Sequence, residues 1–287
     1  MDSIRLANDI SVPMIGLGVF QIKDFQTCKE VVKDAIQSGY RLIDTAASYG
    51  NEEAVGEAVK ECIDEGIVTR EELRITSKLW VQDTDYESAK TAFEVSLQKL
   101  GLEYLDIYLI HQAMNDYYGA WRALEELYED GKVKVIGVCN FFPDRLMDLC
   151  LHSRIKPIIN QVEMHPFFQQ NEALRIMNDL NVQPQAWAPL AEGSHGIFTN
   201  PVLREIAIKH SKSIAQIVLR WNVQRGVIVI PKSVNPNHRK ENLDIWDFEL
   251  TENEMETIKQ LDLGTSEIID HYNPCIVKMI ANHRIHE

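Results

Sequence analysis

The sequence predicts an α/β protein of the (β/α)8 TIM-barrel class, with a short N-terminal β-hairpin outside the repeat. Three observations predict it. Short apolar runs, most of them rich in Ile, Val or Leu, alternate with stretches of helical periodicity, and such runs suit parallel strands covered on both faces. Several helical stretches stop at a glycine just before the next run, which is the βαβ rhythm. The runs number eight, and a chain of 287 residues suits one barrel, for which about 250 residues is typical.

Taken in order, Ile4–Leu6 and Ile10–Val12 flank Ala7-Asn8-Asp9 and read as the hairpin. Met14–Leu17 is the first barrel strand. The others are expected at Arg41–Ile43, Leu73–Thr76, Leu105–Ile110, Val133–Val138, Ile158–Val162, Val182–Trp187 and Val227–Ile230. Between them, Tyr86, Ala89, Phe93, Leu97 and Leu100 form one apolar stripe that ends at Gly101. Trp121, Leu124 and Tyr128 share a face, with Gly131 beyond. Ile214, Ile217, Val218 and Trp221 share another, with Gly226 beyond. Asn235 and Pro236 read as the N-cap and first residue of a helix. Residues 191–200 and 264–274 read as long loops. No linker or charge block divides the chain, so residues 1–287 are read as one domain. A doubly wound open sheet would require a GxGxxG turn after its first strand, and Gly16-Leu17-Gly18 lacks the third glycine.

The formal charge of −14 argues against nucleic acid or an anionic membrane as partner. Five irregularly spaced cysteines, Cys28, Cys62, Cys139, Cys150 and Cys275, read as reduced thiols. The N-terminus lacks a signal-peptide pattern, and no apolar stretch approaches the roughly 18 residues of a membrane helix. A cytoplasmic monomer is expected. His165 and His271 have no clustered partners at ligand spacing, so no metal is assigned.

Functional side chains of a barrel gather where strands end. Asp44, Lys78, His111, Asn140, Gln161, Glu163, Trp187 and Lys232 all end apolar runs, and together they would bring an acid, a base and two cations to one mouth. The segments LIDTAASYGNE (Leu42–Glu52), SKLW (Ser77–Trp80), YLIH (Tyr108–His111), GVCNF (Gly137–Phe141), NQVEMHP (Asn160–Pro166) and IPKSVNPNHRKEN (Ile230–Asn242) resemble the aldo-keto reductase signature, collinearly over nearly the whole chain. The short tail and compact loops are similar to the bacterial branch that includes 2,5-diketogluconate reductases.

The resemblance implies an NADPH-dependent reductase of aldehydes and ketones, keto sugars and dicarbonyls among them, with NADH as an accepted alternative. Asp44, Tyr49, Lys78 and His111 would be its catalytic group. A phenol with an ordinary pKa of about 10 is a poor acid at neutral pH, and a neighbouring ammonium should make it a better one. Tyr49 would then give the proton, Lys78 would favour its release, Asp44 would hold Lys78, and His111 would donate to the carbonyl oxygen. The resemblance also implies cofactor contacts from Gly18, Val19, Phe20, Asp44, Cys139, Asn140, Gln161, Trp187, Pro189, Leu190, Lys232, Ser233, Val234, His238, Arg239, Glu241 and Asn242. Trp187 would stack on the nicotinamide. Cys139 stands where the family usually has Ser. His238 stands where it usually has the Arg that grips the 2′-phosphate, and Arg239, one residue on, is rotated by about 100°. Phe20, Tyr49, Trp80, His111 and Gln112 would meet the substrate. A cofactor-sensing module and a barrel hydrolase are the alternatives. The intact catalytic group argues against the first, and the absence of GxSxG or an opposed carboxylate pair argues against the second.

Overall fold

The computed structural model describes residues 2–266 and 268–287; Met1 and Glu267, the latter inside the loop expected at 264–274, lie outside them. Strands β1 (Ser3–Arg5) and β2 (Ser11–Pro13) form the antiparallel hairpin, with Ile4 opposite Val12. The ladder sits one residue farther from the turn than the apolar residues suggest. Leu6 N–H donates to the Ile10 carbonyl and Asp9 N–H to that of Leu6, so both apolar residues belong to the turn.

The repeat follows as β3 (Leu17–Gly18), α1 (Phe25–Gln37), β4 (Leu42–Asp44), α2 (Glu52–Asp64), β5 (Arg74–Leu79), α3 (Tyr86–Leu100), β6 (Leu105–Ile110), α4 (Tyr117–Glu129), β7 (Val133–Cys139), α5 (Pro143–His152), β8 (Ile159–Glu163), α6 (Asn171–Leu180) and β9 (Gln183–Trp187). Helices α7 (Pro201–His210) and α8 (Ile214–Gln224), β10 (Ile228–Val229), α9 (Pro236–Leu243), α10 (Glu252–Lys259) and α11 (Pro274–Asn282) complete it. Eight strands, β3 to β10, lie parallel and in chain order. The two edges are hydrogen-bonded to each other: Ile15 bridges Val229, and the Gly16 N–H donates to the Val229 carbonyl at 2.9 Å. Helix α9 has Asn235 as its N-cap and Pro236 at its first position, as expected. The loop at 191–200 holds two short 3-10 turns. Helix α11 is an addition to the elements expected.

Two-residue periodicity decides which side chains face inward. Leu42, Ile107, Leu109, Val135, Ile159, Ile228 and Ile230 pack in one inner cluster, while Ile43, Ile75, Tyr108, Ile110, Ile136 and Val138 pack with the helices. Leu6, Val12 and Met14, from the hairpin and its exit, join the inner cluster and seal the end of the barrel where the strands begin. Gly137 faces inward, where a Cβ would lie 2.5 Å from the Ile159 carbonyl oxygen; no larger residue fits this strand contact without movement. The same alternation, carried past the apolar layer, turns Asp44, Lys78, His111, Gln161 and Trp187 toward the interior at the opposite end.

Candidate active site

The signature segment after β4 owes its shape to local chemistry. Thr45 Oγ1 donates to Asn51 Oδ1 at 2.6 Å, and Asn51 Nδ2 donates to the carbonyls of Val19 and Ile22. Ser77 Oγ donates to Glu52 Oε1 at 2.6 Å, deep under helix α2. Between these anchors residues 47–49 form a 3-10 turn, closed by Gly50 at φ 68°, a left-handed conformation that glycine adopts without penalty. The turn presents Ser48 and Tyr49 side by side to the cleft.

Lys78, fully buried, donates to Asp44 Oδ1 at 2.5 Å, to the Thr45 carbonyl at 2.9 Å and to Tyr49 Oη at 3.3 Å. Gln161 Nε2 donates to the other Asp44 oxygen at 2.8 Å and to Gln185 Oε1 at 2.7 Å. Burial disfavours charge on Lys78, but the neighbouring Asp44, Tyr49 and Cys139 together push its pKa up, so the ammonium stays charged. The Tyr49 hydroxyl is pushed up to about 12: burial dominates, and the lowering effect of Lys78 only partly offsets it. Lys78 acts in the expected direction, but burial outweighs it, so the net shift is upward. His111 is held well below the usual histidine range, first by burial, then by the positive Lys78 and by His271. Its ring centroid lies 5.6 Å from that of Tyr49 and 5.2 Å from that of Trp80, both edge-on.

Tyr49, Trp80 and His111 line one cleft of about 1170 Å³, together with Gly18, Phe20, Asp44, Gln112, Asn140, Gln161, Trp187, Pro189 and Leu190. At its far end lie Lys232, Ser233, His238, Glu241 and Asn242. Asn140 breaks the strand alternation with φ 60°, which Asn tolerates. Its amide donates to the His111 carbonyl at 3.1 Å, and its Oδ1 accepts from Trp187 Nε1 at 2.9 Å. The expected residues thus converge, with five exceptions. Lys78 lies beneath the cleft floor, bonded to Asp44 and Tyr49, which line it. Val19 and Cys139 are core residues, and burial pushes the Cys139 thiol up, so it is a neutral filler within electrostatic reach of Lys78. Val234 is exposed away from the cleft. Arg239 is buried: its guanidinium pairs with Asp34 and donates to the Ser233 carbonyl at 3.1 Å. It points away from the cleft, as the helical rotation predicts, and its charge is committed elsewhere.

The long loop expected at 264–274 and the helix after it supply residues that the sequence reading does not name for the site. Ile269, His271, Met279, Ile280, Asn282 and His283 line the cleft, and so does Ser48. His271 Nε2 lies 2.9 Å from Gln112 Oε1, and Trp80 Nε1 donates to the His283 carbonyl at 2.7 Å. Among the described residues no group of acidic, Cys and His side chains could hold a metal ion, and no helix is long and apolar enough to cross a membrane. All five cysteines are free.

Comparison with known proteins gives the family. The sequence profile of the Aldo/keto reductase family matches residues 14–263. The glyoxal reductase of Bacillus subtilis (strain 168) is 48% identical over 262 residues, covering 91% of this chain and 93% of its own. Methylglyoxal reductase DkgA of Escherichia coli (strain K12) is 42% identical over 264 residues, 91% of this chain and 94% of its own. Among solved structures, an aldo-keto reductase from Bombyx mori in complex with NADP superposes with a TM-score of 0.87 at 33% identity, covering 100% of this chain and 95% of that one.

Proposed function

The chain belongs to the aldo/keto reductase family of oxidoreductases, and we propose that it is an NADPH-dependent reductase of small carbonyl compounds, dicarbonyls and keto sugars among them, with Tyr49 as proton donor. The carrying observation is the Tyr49–Lys78–Asp44 chain at the cleft floor, with His111 beside it. The donor set of the cleft fits a nicotinamide dinucleotide. Trp187 offers a flat face. Both amide protons of Gln161 are engaged by Asp44 and Gln185, so its carbonyl oxygen is left as an acceptor for the carboxamide. Lys232 offers positive charge at the far end, His238 a ring nitrogen, and the start of α9 its N–H groups. When bound, the reduced cofactor supplies a hydride.

This chain's own work is on the carbonyl oxygen. Tyr49 and His111 form the donor pair that meets it, and Tyr49 delivers the proton as negative charge develops there. The Gln112–His271 pair supplies a polar wall beside them, suited to a second oxygen on the substrate. A screen of cofactor oxidation with glyoxal, methylglyoxal, keto sugars and simple aldehydes tests the reading; no turnover with any of them would overturn it. We place the enzyme in the cytoplasm, as a single-domain monomer on a closed barrel.

Two predictions follow from the site's charges. Reduction is expected to run at a kcat/KM constant within about twofold from pH 6 to pH 9. Tyr49 stays protonated, because its pKa of about 12 lies above this window. His111 is held neutral by burial and by the positive Lys78, which lower its pKa well below the usual histidine range. An inflection inside the window, measured with saturating cofactor, would show that another group is titrating. Discrimination between NADPH and NADH is expected to be weakened, because Arg239 is tied to Asp34 and the phosphate end is left to Lys232, Ser233 and His238. His238→Arg should raise the NADPH:NADH ratio of kcat/KM by about ten- to a hundredfold, the value of one charge-assisted hydrogen bond. An unchanged ratio would mean that Arg239 leaves Asp34 when cofactor binds.

A further inference from the structure

The His111 ring has one hydrogen-bond partner among the described residues: Ser48 Oγ, 3.3 Å from Nδ1. The geometry points to Ser48 as a positioning residue that decides which nitrogen of His111 carries the proton, and so whether His111 can donate to the reacting carbonyl. The inference rests on the reductase reading above.

The buried imidazole is neutral and carries a single N–H. Its location is therefore decisive. A charged ring would donate from both nitrogens, and its neighbour would be immaterial. With the proton on Nδ1, the ring could only donate to Ser48, and Nε2 would present a lone pair where negative charge develops on the substrate. With the proton on Nε2, Nδ1 becomes an acceptor. Ser48 is equipped to enforce the second arrangement. Its hydroxyl has a hydrogen to give, and among the described residues it has no other hydrogen-bond partner. Giving that hydrogen to Nδ1 leaves Nε2–H free for the carbonyl oxygen. A histidine tautomer is set in this way by the bond its other nitrogen makes.

Backbone geometry makes the assignment specific. Ser48 and Tyr49 are consecutive in the 3-10 turn 47–49, whose residues step by about 120°. One side chain reaches His111 and the next reaches Lys78. The turn thereby ties both members of the donor pair to one rigid segment, itself pinned by Asn51 to the backbone at Val19 and Ile22.

The test combines spectroscopy with kinetics. In protein labelled with 15N-histidine, the His111 signals, identified by their loss in His111→Gln, are expected to report Nε2–H and an unprotonated Nδ1 at pH 7. Ser48→Thr, which keeps the hydroxyl, should preserve that pattern and kcat. Ser48→Ala should move His111 toward a mixture of tautomers and lower kcat by about fivefold, the factor carried by one net hydrogen bond, with KM and the Kd for NADPH unchanged. A wild-type ring protonated on Nδ1 would overturn the proposal by itself, whether or not any variant folds. A fall in kcat without a tautomer shift, or a shift without a fall, would overturn it equally. Failure of the reductase reading is distinguishable, since it would appear as an absence of turnover in wild type, which leaves the tautomer measurement intact.

Discussion

Tyr49→Phe is expected to lower kcat by about two to four orders of magnitude while changing the Kd for NADPH by less than about twofold. In the proposed reaction the hydroxyl is the proton donor: Lys78 is held charged by Asp44, and His111 is neutral with its N–H assigned to the carbonyl oxygen. The ring stays in place without the hydroxyl, because it packs at 4.9 Å against Phe20 and sits beneath the Lys78 ammonium, 4.8 Å from it. Cofactor contacts are therefore untouched, and the loss falls on the chemical step. Fluorescence titration and steady-state rates separate the two. A variant retaining more than about a tenth of wild-type kcat would require another proton donor.

Lys78→Met is expected to damage both activity and stability. Asp44 is 3% exposed, and without the ammonium its carboxylate keeps only the Gln161 amide as a side-chain partner. Breaking a buried ion pair from one side typically costs about 3–5 kcal/mol. For a chain of this size the melting temperature should fall by roughly 10 °C. Activity should fall by at least about tenfold, because the ammonium that favours proton release from Tyr49 is gone. Asp44→Asn should lose less activity, since Lys78 keeps its bonds to the Thr45 carbonyl and Tyr49. The double variant should recover much of the lost stability, because no unpaired charge remains buried. Thermal melts of the three variants check this. A Lys78→Met protein as stable as wild type would mean that water reaches Asp44.

The catalytic layer was legible because it obeys a simple rule. Once Leu42, Leu109 and Ile159 are assigned to the inner face, Asp44, His111 and Gln161 must face inward two residues later. Lys78 follows from Ile75 and Leu79 facing outward. The signature segment was legible for a different reason: Thr45, Gly50, Asn51 and Glu52 each meet a specific local demand. What could not be read depends on partners far along the chain. Nothing near Arg239 announces that Asp34, 205 residues away, will take its charge. Nothing near Gln112 announces His271, 159 residues on. Helix α11 was within reach, since Asn273-Pro274 repeats the N-cap and proline pair of Asn235-Pro236. Ser48 was hidden by its neighbour, because the spacing drew attention to Tyr49 alone.

The hairpin that seals the barrel has a consequence for how the enzyme is recharged. In the reaction proposed above, each turnover takes from Tyr49 a proton that must be replaced before the next. Lys78 is wholly buried, with its three hydrogen bonds already made to Asp44, Thr45 and Tyr49, and below it Leu6, Val12 and Met14 close the interior with apolar side chains. The described residues that cluster there are apolar and offer a proton no partner. On that proposal the replacement proton is expected to enter by the cleft, along the route that product takes to leave, so that refilling the donor and emptying the site are one event rather than two.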